Sequence, residues 1–293
     1  TGKLVESQGK GQAFEVQADS VLIYGNTDQT YLLQKGRINF ETLRESAHLR
    51  CRTNSFGAVM RVRNQLSKAT HDFFQNRHFL NLHTPIITAS DCEGAGQMFQ
   101  VTTLDLDKVP KTDLNKVDYK KDFFGKKTHL TVSGQLNGET YACGTGRIYT
   151  FGPTFRAENS NTSRHLSEFW MVEPEAAFFE LEENADLARD YLKYCFKSIL
   201  ESSEEDLEFF DQRVEKGIVK KLETLSEAEF IRITYTEAIK ILEKSDVKFE
   251  YPVYWGVDLQ SEHERYITEQ VFQQPVIVTH YPKDIKAFYM KLN

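Results

Sequence analysis

Two aromatic, β-favouring runs, RIYTFGPTFR (147–156) and LSEFWMVEPE (166–175), stand on either side of the polar stretch AENSNTSRH (157–165). Aromatic and β-branched residues fit a half-buried pleated surface, whereas Asn, Ser and Thr turn the chain. The pattern predicts an antiparallel hairpin with a long tip.

Helical periodicity appears elsewhere in the chain. From Phe56 to about Phe79, Val59, Val62, Leu66, Ala69 and Phe73 recur at three- and four-residue steps, predicting an amphipathic helix. Two further helices are expected over 183–224, with Leu187, Tyr191, Tyr194, Cys195 and Ile199 as an apolar stripe that reads as core. NLHTPIITAS reads as a strand, and Pro85 inside it points to an edge or an interface because it removes a ladder donor. HLTVSGQLNGETYA gives strand, turn and helix start, and INFETLRESAHLRCRT a short helix and linker. Near the start, AFEVQA and VLIYG read as strands of a small β-domain, and PVIVTHYPKDIKAFYM supplies two more. Residues 105–122 are polar and aperiodic, hence a surface insertion. Strands and hairpins interspersed with helices, without regular βαβ alternation, predict an α+β fold built on an antiparallel sheet flanked by helices.

Composition narrows the class. The four cysteines are widely spaced, which excludes a zinc or redox motif of close pairs and suggests reduced thiols. No membrane-length apolar run or signal-peptide pattern is present, so a cytoplasmic protein with no membrane partner is expected. The chain carries a net charge of −7, yet 37–68 is locally basic, with Arg37, Arg44, Arg50, Arg52, Arg61, Arg63 and Lys68 against Glu41 and Glu45. That stretch is either a solvated face or a phosphate-contacting surface. The chain opens at Thr1 without a methionine, and AFYMKLN reads as a strand running off the end; both suggest part of a longer chain.

The hairpin is chemically unusual. Arg156 stands at the end of the first run, and Arg164 and His165 in the tip offer a second cluster of donors for phosphate oxygens. Arginine suits oxyanions because its planar fork donates in pairs and keeps its charge. Phe169 offers a ring face to a purine, and Glu158 an acceptor for an exocyclic amine. No GxxxxGK[ST] is present, and CGTGRIYTFG lacks the third glycine of a dinucleotide fingerprint. Ser133 lies outside any G-x-S-x-G elbow. His263, in SEHERY, reads as part of a charged helix face rather than a metal or acid–base site.

Taken in order, these segments carry a resemblance. TFRAENSNTSRHLSEFWMVEPE resembles motif 2 of the class II aminoacyl-tRNA synthetases, in the form carried by their asparagine-activating subfamily. TPIITASDCEGAGQMF is similar to the end of motif 1 and the flipping loop, and TVSGQLNGETYACG to the amino-acid-binding turn. YWGVDLQSEHERYITE and YPKDIKAFYM match later catalytic segments, so the resemblance covers essentially the whole chain.

The resemblance implies ATP-dependent ligation of asparagine to tRNA(Asn) through an asparaginyl-adenylate, with Mg²⁺ assisting. Arg156 would bridge the α-phosphate and the amino-acid carboxylate, with Ala157 and Glu158 beside the nucleotide. Arg164, His165 and Leu166 would close on the outer phosphates and adenine, and Phe169 would stack on adenine. Glu93, Gln135 and Glu173 would surround the substrate ammonium, and Glu158 the side-chain amide together with Lys286 or Lys291, a choice left open. Pro85 would lie at a homodimer interface. Residues 1–52 would be the remnant of an OB-type anticodon-binding domain and linker, and 53–293 an incomplete catalytic domain. Motif 3 and the acidic metal ligands are expected beyond Asn293, so this stretch alone would be inactive. The alternatives are an aspartyl or dual-specificity enzyme, and an inactive paralogue that binds tRNA or protein.

Overall fold

Of the two β-favouring runs near the start, one pairs and the other does not. In the computed structural model, which describes all residues except 10, 11, 34, 35, 37, 93–97, 160–164 and 288, β1 (Gly2–Glu6) and β2 (Phe14–Ala18) form an antiparallel hairpin. The expected strand at VLIYG is corrected: residues 21–25 join no strand, and Val21, Leu22, Ile23 and Tyr24 are exposed. Propensity alone does not hold a strand that has no ladder partner. Helix α1 (Phe40–Glu45) opens on Asn39, whose side chain accepts from the Thr42 N–H. These elements lie in a first unit, Thr1–Met60; a second comprises Arg61–Asn293, and the division falls within α2 (Asn54–Gln75).

In the second unit the hairpin takes shape as expected. The chain passes through β3 (Leu80–Asn81), β4 (Ile87–Thr88), β5 (Gln100–Val101) and β6 (Thr128–Leu130) before α3 (Gln135–Thr145). Then β7 (Arg147–Phe155) and β8 (Glu168–Ala176) pair antiparallel over their full length, Arg147 opposite Ala176 and Phe155 opposite Glu168. β3 adds to β7 in parallel, and β4, β6 and β5 make a separate antiparallel sheet. The single strand expected at NLHTPIITAS is therefore two, with the exposed Pro85 between them, because proline interrupts the ladder.

Alternation along the hairpin creates two faces. One presents Tyr149, Phe151, Val172 and Ala176 to Phe73, Phe74 and Phe79 at the end of α2 and to Leu187 of α4 (Leu181–Ser202). Phe74 stacks on Tyr149 at 4.8 Å between ring centroids, and the Tyr149 hydroxyl is satisfied by His71 Nδ1 at 2.6 Å and by Gln75. Burying Phe73 and Phe74 completely contributes roughly 1.5–3 kcal/mol each. The opposite face is left to α3 and the site described below.

Three helices, not two, follow the hairpin: α4, α5 (Glu204–Arg213) and α6 (Ile218–Glu227). The α4 stripe is core, with Leu187, Cys195 and Ile199 buried. A second core joins β9 (Ile231–Thr234), α7 (Tyr235–Glu243), α8 (Ser261–Arg265), a π-helical turn over Tyr266–Phe272 and β10 (Val276–Thr279). β9 and β10 pair in parallel. Among the described residues no second strand follows β10 toward the C-terminus; Lys283–Ile285 is a 3₁₀ turn. His263 also departs from expectation, being buried rather than on a charged face. Its Nδ1 accepts from the Gln260 N–H and closes the start of α8.

Candidate active site

The face of the hairpin turned away from the core carries the polar and charged side chains. By register, Thr150 opposes Glu173, Gly152 opposes Met171 and Thr154 opposes Phe169, so these residues share it with Ile148 and Glu175. At its outer end the Arg156 N–H donates to the Ser167 carbonyl, closing the base of the tip. The Arg156 guanidinium stands 5.6 Å from the Phe169 ring centroid and reaches the Val132 carbonyl at 3.5 Å. Arginine and aromatic ring thus occupy one environment.

The turn after β6 closes the other side. Thr131, Val132, Ser133 and Gly134 are buried, and the turn is pinned to β8 by a carboxylate. Glu173 accepts from the Ser133 hydroxyl, from the Gly134 N–H at 3.1 Å and from the Thr150 hydroxyl at 2.8 Å. A carboxylate has about four acceptor positions, so Glu173 keeps about one for a ligand. Gly134 is required by space: a Cβ there would lie 2.8 Å from Thr84 Oγ1 and 3.1 Å from Thr150 Cγ2. Gly138, one turn on, brings α3 down on Ile148 and Glu175, where a Cβ would meet Ile148 Cδ1 at 3.2 Å. Gln135 begins α3, its N–H donating to Ser133 Oγ and its side-chain amide to Glu139 at 2.8 Å, with Cys92 Sγ 3.9 Å from its oxygen.

The electrostatics are two-ended. Val132 and Ser133 are neighbours, so the Arg156 guanidinium and the Glu173 carboxylate sit at opposite ends of one short turn. Beyond Glu173 lies Glu175, whose carboxyl is pushed up to about 7 by burial and by the charges of Glu139 and Glu173. A cationic end and an acidic end match a zwitterion. A cavity of about 340 Å³ runs along β7, lined from this face by Thr150, Thr154 and Glu173 and from the core side by His71, Phe151 and Trp170; Arg156, Phe169 and Gln135 are not part of its lining.

The expected residues are distributed as follows. Arg156, Phe169, Gln135 and Glu173 converge. Ala157 is half-buried, and Glu158, His165 and Leu166 are exposed at the tip. Glu93 and Arg164 lie outside the described residues. The two lysines are engaged elsewhere: Lys286 Nζ lies 4.0 Å over the Tyr281 ring, and Lys291 pairs with Glu180 at 2.6 Å. Among the described residues neither contacts Arg156, Gln135 or Glu173. Ser133, Gly134, Thr150, Glu139 and Glu175 join the site without having been singled out for it. The i, i+2 spacing of Phe169, Met171, Glu173 and Glu175 was the available signal for the last. Among the described residues no group of three or more His, Cys, Asp or Glu side chains is placed to hold a metal ion.

The basic stretch at 37–68 is largely committed within the protein. Arg50 lies over the Phe56 ring and Arg52 donates to the Tyr31 hydroxyl. Arg61 forms a bidentate pair with Asp206, and Lys68 pairs with Asp72. Arg37 lies outside the described residues. Among the described residues, no helix is long and apolar enough to cross a membrane.

Comparison with known proteins bears on this geometry. The chain is 61% identical over its whole length to asparagine–tRNA ligases of Nostoc sp. and of Protochlamydia amoebophila, and spans 63% of each. Its fold matches asparaginyl-tRNA synthetase from Pyrococcus horikoshii complexed with asparaginyl-adenylate, with a TM-score of 0.76 and 29% identity over 96% of this chain and 58% of that one. The Entamoeba histolytica asparaginyl-tRNA synthetase, at 20% identity and a TM-score of 0.70, shares the fold. The family model for class II tRNA synthetases (D, K and N) matches residues 39–293. The chain belongs to the class II tRNA synthetases of the D, K and N group.

Proposed function

We propose that this chain carries the adenylate-forming site of an asparagine–tRNA ligase. The single observation that carries the reading is the shared face: Arg156 over Phe169 at one end, and the Ser133–Gln135 turn with Glu173 and Glu175 at the other. The names of the relatives at about 60% identity favour asparagine over aspartate.

In this reading the asparagine carboxylate attacks the α-phosphorus of ATP, a new P–O bond forms, and the bond to pyrophosphate breaks. The 3′-terminal ribose hydroxyl of tRNA(Asn) then attacks the activated carbonyl and releases AMP. Both partners of the first step are anionic where they meet. Arg156 neutralises that charge and holds the approach in line, and no protein nucleophile is required. Phe169 stacks on adenine, with Ala157, Glu158, Arg164, His165 and Leu166 along the nucleotide. Gln135, Glu93 and the remaining acceptor position of Glu173 take the ammonium. A carboxylate at the side-chain end accepts from an amide NH₂ and repels the second carboxylate of aspartate. Residues 1–52 as an OB-type remnant, 53–293 as catalytic domain, a homodimer contact at Pro85, a cytoplasmic location and Mg²⁺ as an assisting ion complete the proposal.

Amino-acid-dependent ATP–pyrophosphate exchange by the full-length gene product tests it. Exchange with asparagine at least a hundredfold above that with aspartate is expected. Equal rates would refute the asparagine assignment.

A further inference from the structure

An RNA-contacting surface is offered less by the basic stretch at 37–68, where Arg61 and Lys68 are ion-paired and Arg50 and Arg52 engage aromatic side chains, than by the insertion between β5 and β6. Residues 105–127 hold seven lysines and five aspartates in a chain whose net charge is −7. Lys108, Lys111, Lys116, Lys120, Lys121, Lys126 and Lys127 are all exposed, and among the described residues none of them enters an ion pair. The aspartates are partly spent on the backbone. Asp122 is buried and accepts from the Thr102 hydroxyl, the Thr103 N–H and hydroxyl, and the Phe123 N–H. Its carboxyl is held down at about 2, chiefly by the Thr102 hydrogen bond. Asp118 accepts from the Lys120 N–H and Asp105 from the Asp107 N–H.

That anchoring gives the segment a definite shape. Lys111 and Val117 form an antiparallel bridge, and the Asp118 N–H donates to the Pro110 carbonyl, closing a small turn. Immediately after Asp122, Phe123 is 75% and Phe124 46% exposed, their rings edge to face at 4.8 Å. Two rings of this size are left in water beside Lys120, Lys121, Lys126 and Lys127. Cations that track a phosphate backbone, alternating with rings on which bases stack, are the recognition chemistry of single-stranded nucleic acid. Lys127 is also joined through β6 to Ser133 of the site by six residues, which span at most about 20 Å.

We infer that the Lys120–Lys127 face of this insertion, with Phe123 as its stacking platform, binds single-stranded RNA at the acceptor end of the substrate tRNA. The inference rests on the ligase reading given above. It assigns to the insertion a share of RNA affinity that the adenylate-forming face does not need.

The test uses the full-length protein with Phe123→Ala, and separately with Lys120, Lys121, Lys126 and Lys127 all changed to Gln. Affinity for deacylated tRNA is followed by fluorescence anisotropy over a series of salt concentrations, and asparagine-dependent exchange is measured without RNA. Each variant is expected to lose about tenfold or more in RNA affinity, and the lysine variant to show a shallower salt dependence. Exchange should stay within twofold of the parent. RNA affinity within twofold of the parent in both variants overturns the inference. So does a shift in solution mass at unchanged RNA affinity, which would make this face a contact between copies. A parent that lacks asparagine-dependent exchange marks failure of the ligase reading instead, because RNA binding is read independently of activity.

Discussion

Glu173 accepts from the Ser133 hydroxyl, the Gly134 N–H and the Thr150 hydroxyl, so its first task is to fix the turn that Arg156 also touches. Glu173→Gln replaces one acceptor oxygen by a donor facing donors, and we expect it to cost about 1–3 kcal/mol in denaturant unfolding. Arg156→Ala should behave in the opposite way, lowering exchange by a hundredfold or more while the thermal midpoint holds. Near-normal exchange in that variant would remove Arg156 from the chemistry. Glu175 supplies a pH test. Its folded-state value is raised to about 7, so between pH 4.5 and 7 the folded chain binds more protons than the unfolded one. The associated stability is complete below about pH 4.5 and fades as pH rises through 7. Glu175→Gln should flatten that loss, about 1 kcal/mol for a partly solvated carboxyl, and a slope unchanged by the substitution would show that another group governs it.

At the scale of elements, α3 lies against the sheet only because Gly134 and Gly138 let it. Gly134→Ala puts a methyl 2.8 Å from Thr84 Oγ1, and we expect about 1–3 kcal/mol of destabilisation with weakened asparagine-dependent exchange. The elements legible in the sequence were those whose pattern repeats for several turns or pairs. The β7–β8 hairpin, the apolar face of α2 at Ala69 and Phe73, and the α4 stripe all obey their periods. What the sequence hid depends on partners rather than pattern. VLIYG has strand propensity and no ladder, NLHTPIITAS is cut by Pro85, and 204–227 breaks into two helices around Gly217, which sits at a positive φ of 88°. His263 sits between charged neighbours in sequence and is yet fully buried, because its ring closes the start of α8.

At the scale of the molecule, a two-ended face on a hairpin is supported by one core, and an adjacent insertion carries unpaired positive charge. Arg156 and Phe169 could be brought to that face from the hairpin pattern alone, whereas Glu173 on the same hairpin and Gln135 beside the turn were legible only through the family resemblance. The lysines near the C-terminus could not, since their placement depends on packing against Tyr281 and Glu180. The central claim is that this face holds the nucleotide and amino acid together. A crystal structure of the full-length protein with asparagine and a non-hydrolysable ATP analogue tests it most directly. We predict adenine stacked on Phe169, the α-phosphate within hydrogen-bond distance of Arg156, and the asparagine ammonium toward Gln135 and Glu173. Adenine bound away from Phe169, with Arg156 contacting neither ligand, would contradict the account.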